Sequence, residues 1–386
     1  MDAVRIGIVG IGNMGAHYLK TLAAGEVDGA RPTAVCDTDP ARLEAAKARK
    51  IDGLTCFTDY RDMIGGKTVD GIIIATPHYD HPAVAIAAFD KGLHVLCEKP
   101  AGVYTRQVRA MNEAAARGGT VFGMMFNQRT SETHQKMKEL VTSGELGAIV
   151  RVNWIITDWF RSQSYYDGGG WRATWAGEGG GVLVNQTPHQ LDLWQWICGM
   201  PKRVRGFCRF GKHHNIEVED EVTVFAEYES GATAVFIAST GEAPGTNRFE
   251  IVGDRGRLVL EEKHLVFLRN RQLTSEFLRT SKDSFKKPEV WRIELATGDG
   301  EQHKGIIKNW VSAIRKGTPL QAPGSEGIRQ VELANAIMLS GWTDEWVTLP
   351  IDEARFETEL RKRIESSTYK KPGEMSNIAA DLRGSF

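Results

Sequence analysis

What the chain has little of narrows its function first. Its five cysteines, Cys36, Cys56, Cys97, Cys198 and Cys208, are odd in number and scattered, with no Cys-x-x-Cys pair. That excludes a disulfide framework or zinc site and points to a reducing, cytoplasmic setting. Neither sign of charge is in excess, since 48 basic side chains face 49 acidic ones; no nucleic-acid partner is expected. No apolar run is long enough to span a bilayer, so no membrane partner is expected either, and the opening MDAVRIGIVG lacks the layout of a signal peptide. Repeats and low-complexity tracts are missing. No cluster has metal-ligand spacing, so no metal is expected.

What is present begins with a nucleotide signature. The apolar run Val4–Val9 leads into Gly10-Ile11-Gly12-Asn13-Met14-Gly15 and then a helical pattern. Strand, glycine turn and helix are the context that a dinucleotide fingerprint requires. Gly10 permits the tight turn, Gly12 the approach of a pyrophosphate, and Gly15 the packing of helix on strand, while the helix N-terminus offers N–H groups to phosphate. A second run ends in Asp37, whose carboxylate can accept both hydroxyls of an adenosine ribose and repels a 2′-phosphate, favouring NAD over NADP. Asp37 also fits a helix cap, and Arg42, one turn on, can tolerate a phosphate.

The alternation continues, with strands at residues 69–75, 94–97 and 120–126 and helices at 81–91 and 105–117. Such spacing implies a doubly wound parallel sheet covered on both faces, over residues 1–126. The loops at residues 10–15, Asp37, Thr76-Pro77-His78, Glu98-Lys99-Pro100 and 127–129, with Asn127, follow strand ends and are expected to line one crevice. Of His78 and His81, one is expected near the cofactor and the other in a structural role. From about residue 150 successive strand patterns imply a second α/β domain with a large, mostly antiparallel sheet, over residues 127–345, in which a late helix can pack back on the first domain. Residues 346–386 read as a charged helix and a polar tail. His213 and His214 read as surface.

Within the second lies GGGVLVNQTPHQLD, residues 179–192. On a helix Asn185, His189 and Asp192 share one face, a candidate for holding a substrate; the stretch fits equally a glycine turn before a partly buried helix.

The fingerprint, Ala75-Thr76-Pro77, Glu98-Lys99-Pro100 and the GGG-x3-N-x3-H-x2-D stretch stand in the order and spacing of one known group. Over about residues 1–345 the chain resembles the Gfo/Idh/MocA family, the glucose–fructose oxidoreductase and inositol dehydrogenase relatives. The resemblance implies a Rossmann domain followed by an open-sheet domain. It also implies hydride transfer between a nicotinamide and a secondary alcohol of a sugar, cyclitol or glycoside, in a homodimer or homotetramer joined through that sheet. Lys99 matches the family's active-site lysine and His189 its histidine, while Trp171 and Arg172 fall near the nicotinamide. Asn185 stands where many relatives have aspartate and Thr187 where many have glycine, so the pH dependence of those relatives need not transfer.

Oxidising an alcohol needs a base for its proton, and histidine suits that task near neutrality. His189 is therefore assigned as the acid–base. Lys99 is assigned to orient the alcohol, with exchange of these roles open, and Asn185 to fix the histidine or a hydroxyl. Glu98 is expected to shape its turn and meet the nicotinamide ribose, and Pro100 to make a rigid turn. Arg161, Tyr165, Tyr166 and Trp175 are candidates for a pyranose wall, and an arginine-bearing wall also suits an acidic sugar. Three activities fit: an NAD-dependent dehydrogenase acting at C3; an NAD-retaining glycosidase that oxidises, eliminates, hydrates and reduces; and a sugar sensor without catalysis.

Overall fold

The computed structural model describes residues 3–370. Six short strands form the first sheet: β1 Val4–Val9, β2 Ala30–Cys36, β3 Thr55–Phe57, β4 Gly71–Ile74, β5 His94–Cys97 and β6 Phe122–Met124. They pair in the order β3-β2-β1-β4-β5-β6, and every pairing is parallel. A strand covered on both faces must be apolar on both, which is why Gly-Ile-Ile-Ile at β4 is entirely buried. The order reverses between β1 and β4, and ligands bind such sheets where the two halves part.

The second sheet has nine strands: β7 Ile149–Ile156, β8 Arg203–Phe210, β9 Glu219–Glu227, β10 Thr233–Ser239, β11 Asn247–Gly253, β12 Gly256–Glu261, β13 His264–Asn270, β14 Val290–Leu295 and β15 Val347–Thr348. Their order is β14-β13-β12-β11-β7-β10-β9-β8-β15. All pairs are antiparallel except β7 with β10. Period-two alternation turns Val152, Trp154 and Ile156 of β7 inward, onto a core shared with Leu191 and Trp194 of the helix Pro188–Cys198 and Ile337 of the helix Gly327–Thr343. The opposite face carries Phe207 and Trp346, 51% and 40% exposed.

The elements after the second sheet divide between the two cores. The helix Gln302–Lys316 places Ile306, Ile307 and Trp310 in the first core, although it follows the second sheet in sequence. Within the segment 346–386, β15 joins the edge of the second sheet, and the helix Glu353–Ser366 buries Phe356 and Leu360 in the second core. That helix is thus part of the second core; residues 371–386 of the expected tail lie outside the described residues. Among the described residues no helix is long and apolar enough to cross a membrane, and no His, Cys, Asp or Glu group could hold a metal ion.

Candidate active site

The glycine turn after β1 is built for close approach. Gly10 sits at φ +84°, and a Cβ there would press on Ala75 O at 2.6 Å; a Cβ on Gly15 would collide with Gly10 O. Gly12 differs, because its Cβ direction is open apart from an Arg42 nitrogen at 3.8 Å. It precedes the helix Asn13–Ala23, which has no side-chain cap, so the first-turn N–H groups around Asn13 and Met14 remain for an anion. Asp37 is buried beside the turn, accepting from Ile11 N at 2.8 Å and from its own loop at Asp39 N at 2.9 Å. Arg42 lies 3.3 Å from the Asp37 carboxylate and 3.4 Å from Asp39, so the positive charge open to a 2′-phosphate is already engaged. Open turn, uncapped helix and buried carboxylate fit NAD.

Across the strand ends, Glu98 is buried between Tyr18, whose hydroxyl bonds its carboxyl, and Lys99 N at 3.0 Å. Its expected contact with a ribose is not needed to explain its position. The Lys99–Pro100 bond is cis. Lys99 reaches across and donates from Nζ to Asn185 O at 3.0 Å. Burial holds the Lys99 ammonium below its usual value; Glu98 raises it, and Arg172 lowers it again. His189 is 8% exposed, and its Nδ1 is a buried nitrogen with no hydrogen-bond partner. Burial holds its pKa well below the usual range, with Lys99 and then His303 adding to the effect. Held neutral beside a cation, the imidazole is in the form that can take up a proton, as alcohol oxidation needs.

Several expectations are corrected. Asn185, His189 and Asp192 do not share a helical face, because the helix begins only at Pro188; proline has no N–H to give and suits a first helical position. Asn185 precedes it in a turn closed by Asn185 N to Gly181 O at 2.9 Å. Asp192 is locked to Arg129 at 2.6 Å with both side chains 1% exposed. The three glycines allow close packing, as a glycine turn before a helix would: a Cβ on Gly179 would strike Val103, on Gly180 Val184, and on Gly181 Glu219 O. Tyr166 and Trp175 are core residues. Tyr166 bonds Thr240 Oγ1 at 2.9 Å, and Trp175 packs on Phe210 and Trp342; as buried rings they offer no wall in this structure. His214 is not a surface residue either: its side chain is 6% exposed, on Asp220.

Other residues stay near the site. Tyr165 OH accepts from Arg172 Nη1 at 2.8 Å and donates to Asn185 Oδ1 at 3.3 Å. Both Arg161 and Arg172 lie over its ring. Trp171 packs edge-on against His78 at 5.1 Å. His78 contacts Glu178 O at 3.3 Å, whereas His81 is clamped between Pro100 O at 2.7 Å and Thr76 O at 2.9 Å. Asn127 donates to Gln302 at 2.9 Å and keeps an unsatisfied Oδ1, as Thr76 keeps an unsatisfied Oγ1 and Pro77 leads into the short turn that carries His78.

Two residues escaped the sequence. Glu178, buried to 1%, accepts from Ala173 N at 2.7 Å and from the Asn185 amide, and lies 3.8 Å from Arg172. A carboxylate therefore reaches this cluster even though position 185 is an amide; the only trace in the sequence is an acid directly before the glycines. His303, on the helix Gln302–Lys316, packs near His17 and Tyr18 and is pushed down to about 3 by burial, His17 and Lys99. An isolated histidine so far along the chain carries no such signal.

Comparison with known proteins gives a consistent picture. A model described as an oxidoreductase family with an NAD-binding Rossmann fold, GFO_IDH_MocA, matches residues 4–126, and the GFO/IDH/MocA C-terminal domain matches residues 134–259. Inositol 2-dehydrogenase 1 of Saccharopolyspora erythraea is 36% identical over 151 residues, which is 39% of this chain and only 44% of that protein. Levoglucosan dehydrogenase of Pseudarthrobacter phenanthrenivorans is 25% identical over 91% of this chain and 99% of its own length. The crystal structure of the WlbA dehydrogenase from Bordetella pertussis, in complex with NADH and UDP-GlcNAcA, superposes with a TM-score of 0.76 at 25% identity, covering 91% of this chain and all of that one.

Proposed function

Because the chain belongs to the Gfo/Idh/MocA family of NAD-binding oxidoreductases, we propose that it moves a hydride between NAD and a ring secondary hydroxyl, at C3, of a sugar, cyclitol or glycoside. The observation that carries this reading is the neutral His189 imidazole set near Lys99, whose Nζ reaches across to Asn185 O. NAD, held by the turn of residues 10–15 and by Asp37, supplies the hydride acceptor when bound. His189 takes the hydroxyl proton as the carbon loses its hydride, and Lys99 holds the oxygen and stabilises its developing negative charge. Asn185 fixes Lys99 through its carbonyl, and Glu178 steadies the Asn185 amide. Relatives and structural neighbours named for inositol, levoglucosan and UDP-GlcNAcA support a sugar-like substrate.

The open face of the second sheet supports assembly of two or four copies, since contiguous exposed aromatic side chains mark an interaction site. The test of activity is to incubate the protein with NAD and a panel of sugars, cyclitols and glycosides while following NADH. Lys99→Ala and His189→Ala are each expected to lower kcat by about 10²–10⁴-fold. No NADH from any alcohol, together with no NADH consumption by keto-sugars, would sink the proposal. The Tyr165 hydroxyl, held by Arg172, favours a second reading as the added base of an NAD-retaining glycosidase; release of a chromogenic aglycone without net NADH is its signature.

A further inference from the structure

Arg161 is held unusually firmly for a loop residue. Its N–H donates to Thr240 O at 2.8 Å, and its carbonyl meets His214 Nε2, also at 2.8 Å. The other His214 nitrogen lies 3.1 Å from Asp220 Oδ2, a buried carboxylate that also receives Lys212 N and His213 N. Both peptide groups of Arg161 are thus anchored to the second sheet, and the His214–Asp220 pair serves as their buttress.

The guanidinium at the end of this anchored residue has no carboxylate partner among the described residues. It lies over Trp159 at 5.3 Å and over Tyr165 at 5.2 Å, and it donates to the neighbouring Phe160 O at 2.9 Å. Arg172 lies over the same Tyr165 ring at 4.7 Å. The carboxylate near Arg172, Glu178 at 3.8 Å, is already bonded by Ala173 N and the Asn185 amide. Two guanidinium groups therefore share one tyrosine whose hydroxyl bonds Asn185 Oδ1 at 3.3 Å, the residue whose carbonyl holds Lys99. Burial above all holds Lys99 below its usual value, and both arginines push it down further, against Glu98 and Glu178. The three cations are close enough to feel one another.

We propose that Arg161 and Arg172 form an anion-reading subsite on Tyr165, and that the preferred sugar carries a negatively charged group, a ring carboxylate or a phosphate ester. A planar guanidinium stacked on an aromatic ring keeps its N–H edge for a ligand and pairs with carboxylate or phosphate through two parallel bonds. An anion there also offsets the positive charge gathered when Lys99 and an oxidised nicotinamide stand together. This inference rests on the reading that a sugar binds at Lys99 and His189, and it names that sugar's class.

The experiment is calorimetric binding to the NADH-loaded full-length protein, which needs no turnover. The ligands are methyl glucoside and methyl galactoside as neutral probes, the corresponding methyl glycosiduronic acids for a ring carboxylate, and the corresponding sugar 1-phosphates for a phosphate ester. At least one anionic member is expected to bind at least about tenfold more tightly than its neutral counterpart. The better anion identifies the charged group. Arg161→Gln is expected to collapse the ratio to below about threefold, and Arg161→Lys to leave an intermediate value, since a lysine supplies charge without the fork. Equal binding of neutral and anionic sugars by the wild-type protein, absence of anionic binding, or an unchanged ratio in Arg161→Gln overturns the proposal. If the anionic preference is present while no alcohol is ever oxidised, the dehydrogenase reading fails and the subsite stands.

Discussion

Glu219 shows at the scale of one residue how the site is braced. It begins β9 with no exposed surface, and one carboxyl oxygen accepts from Gly181 N at 2.8 Å and Leu183 N at 3.1 Å. The other oxygen has no partner, and burial pushes the carboxyl up to about 7. A carboxyl raised in this way holds its proton in the folded chain after the unfolded chain has lost it. Stability is therefore expected to fall as pH rises from the ordinary glutamate value, 4.5, to about 7, by about 3 kcal/mol for this group. Glu219→Gln removes the titration, so the stability of the wild-type protein relative to the variant should be greater at pH 5 than at pH 7.5. Denaturant unfolding of both proteins at the two pH values measures this, and parallel pH profiles would rule it out. The same scale explains Asn185: a departure that looks chemical in the sequence is met in space by Glu178.

At the scale of elements, the helix Pro188–Cys198 carries His189 at its first turn and is held in place through Asp192. Arg129, from the turn after β6, makes two bonds to Asp192, at 2.6 and 2.8 Å, and reaches Glu326 at 2.5 Å. Taking one member from a buried ion pair leaves the other without compensation, so Arg129→Met is expected to cost about 3–5 kcal/mol. Arg129→Met with Asp192→Leu should recover much of that loss, because no buried charge remains. Chemical denaturation of the single and double variants is the test, and a double variant worse than either single one would contradict it. The helix's existence and approximate end were legible from the run of apolar residues. Its start was not, because the glycines and Asn185 keep helical spacing while Pro188 fixes where helical hydrogen bonding can begin.

At the scale of the whole molecule, two cores are joined by the helix Gln302–Lys316, and the second sheet leaves one face bare. The bare face carries Phe207, with Phe225 edge-on to Trp346 at 5.9 Å, and it is flanked by ion pairs such as Arg203 with Glu227 at 2.7 Å. If that face joins copies of the chain, Phe207→Asp should shift the mass in solution towards the monomer, as read by light scattering after gel filtration. A wild-type monomer, or a variant of unchanged mass, would remove the face from consideration. NADH binding by the variant provides the control for folding, since the glycine turn lies in the other core.

The sequence by itself determined what depends on neighbours along the chain. The parallel sheet, the strand-end loops, the glycine turn and Asp37 are local signals, because side-chain period and turn chemistry act within a few residues. The motifs that single out Lys99 and His189 are local signals as well, whereas the approach of the two side chains is set by packing. Only the tertiary structure decided which polar groups meet. Glu178 on Asn185, Arg129 on Asp192, His303 beside the crevice and His214 behind Arg161 are pairings set by how sheet and helices pack, and none leaves a period to read. The same packing took Tyr166 and Trp175 out of the expected wall, since an aromatic ring on a loop can serve a core or a ligand and only burial distinguishes them.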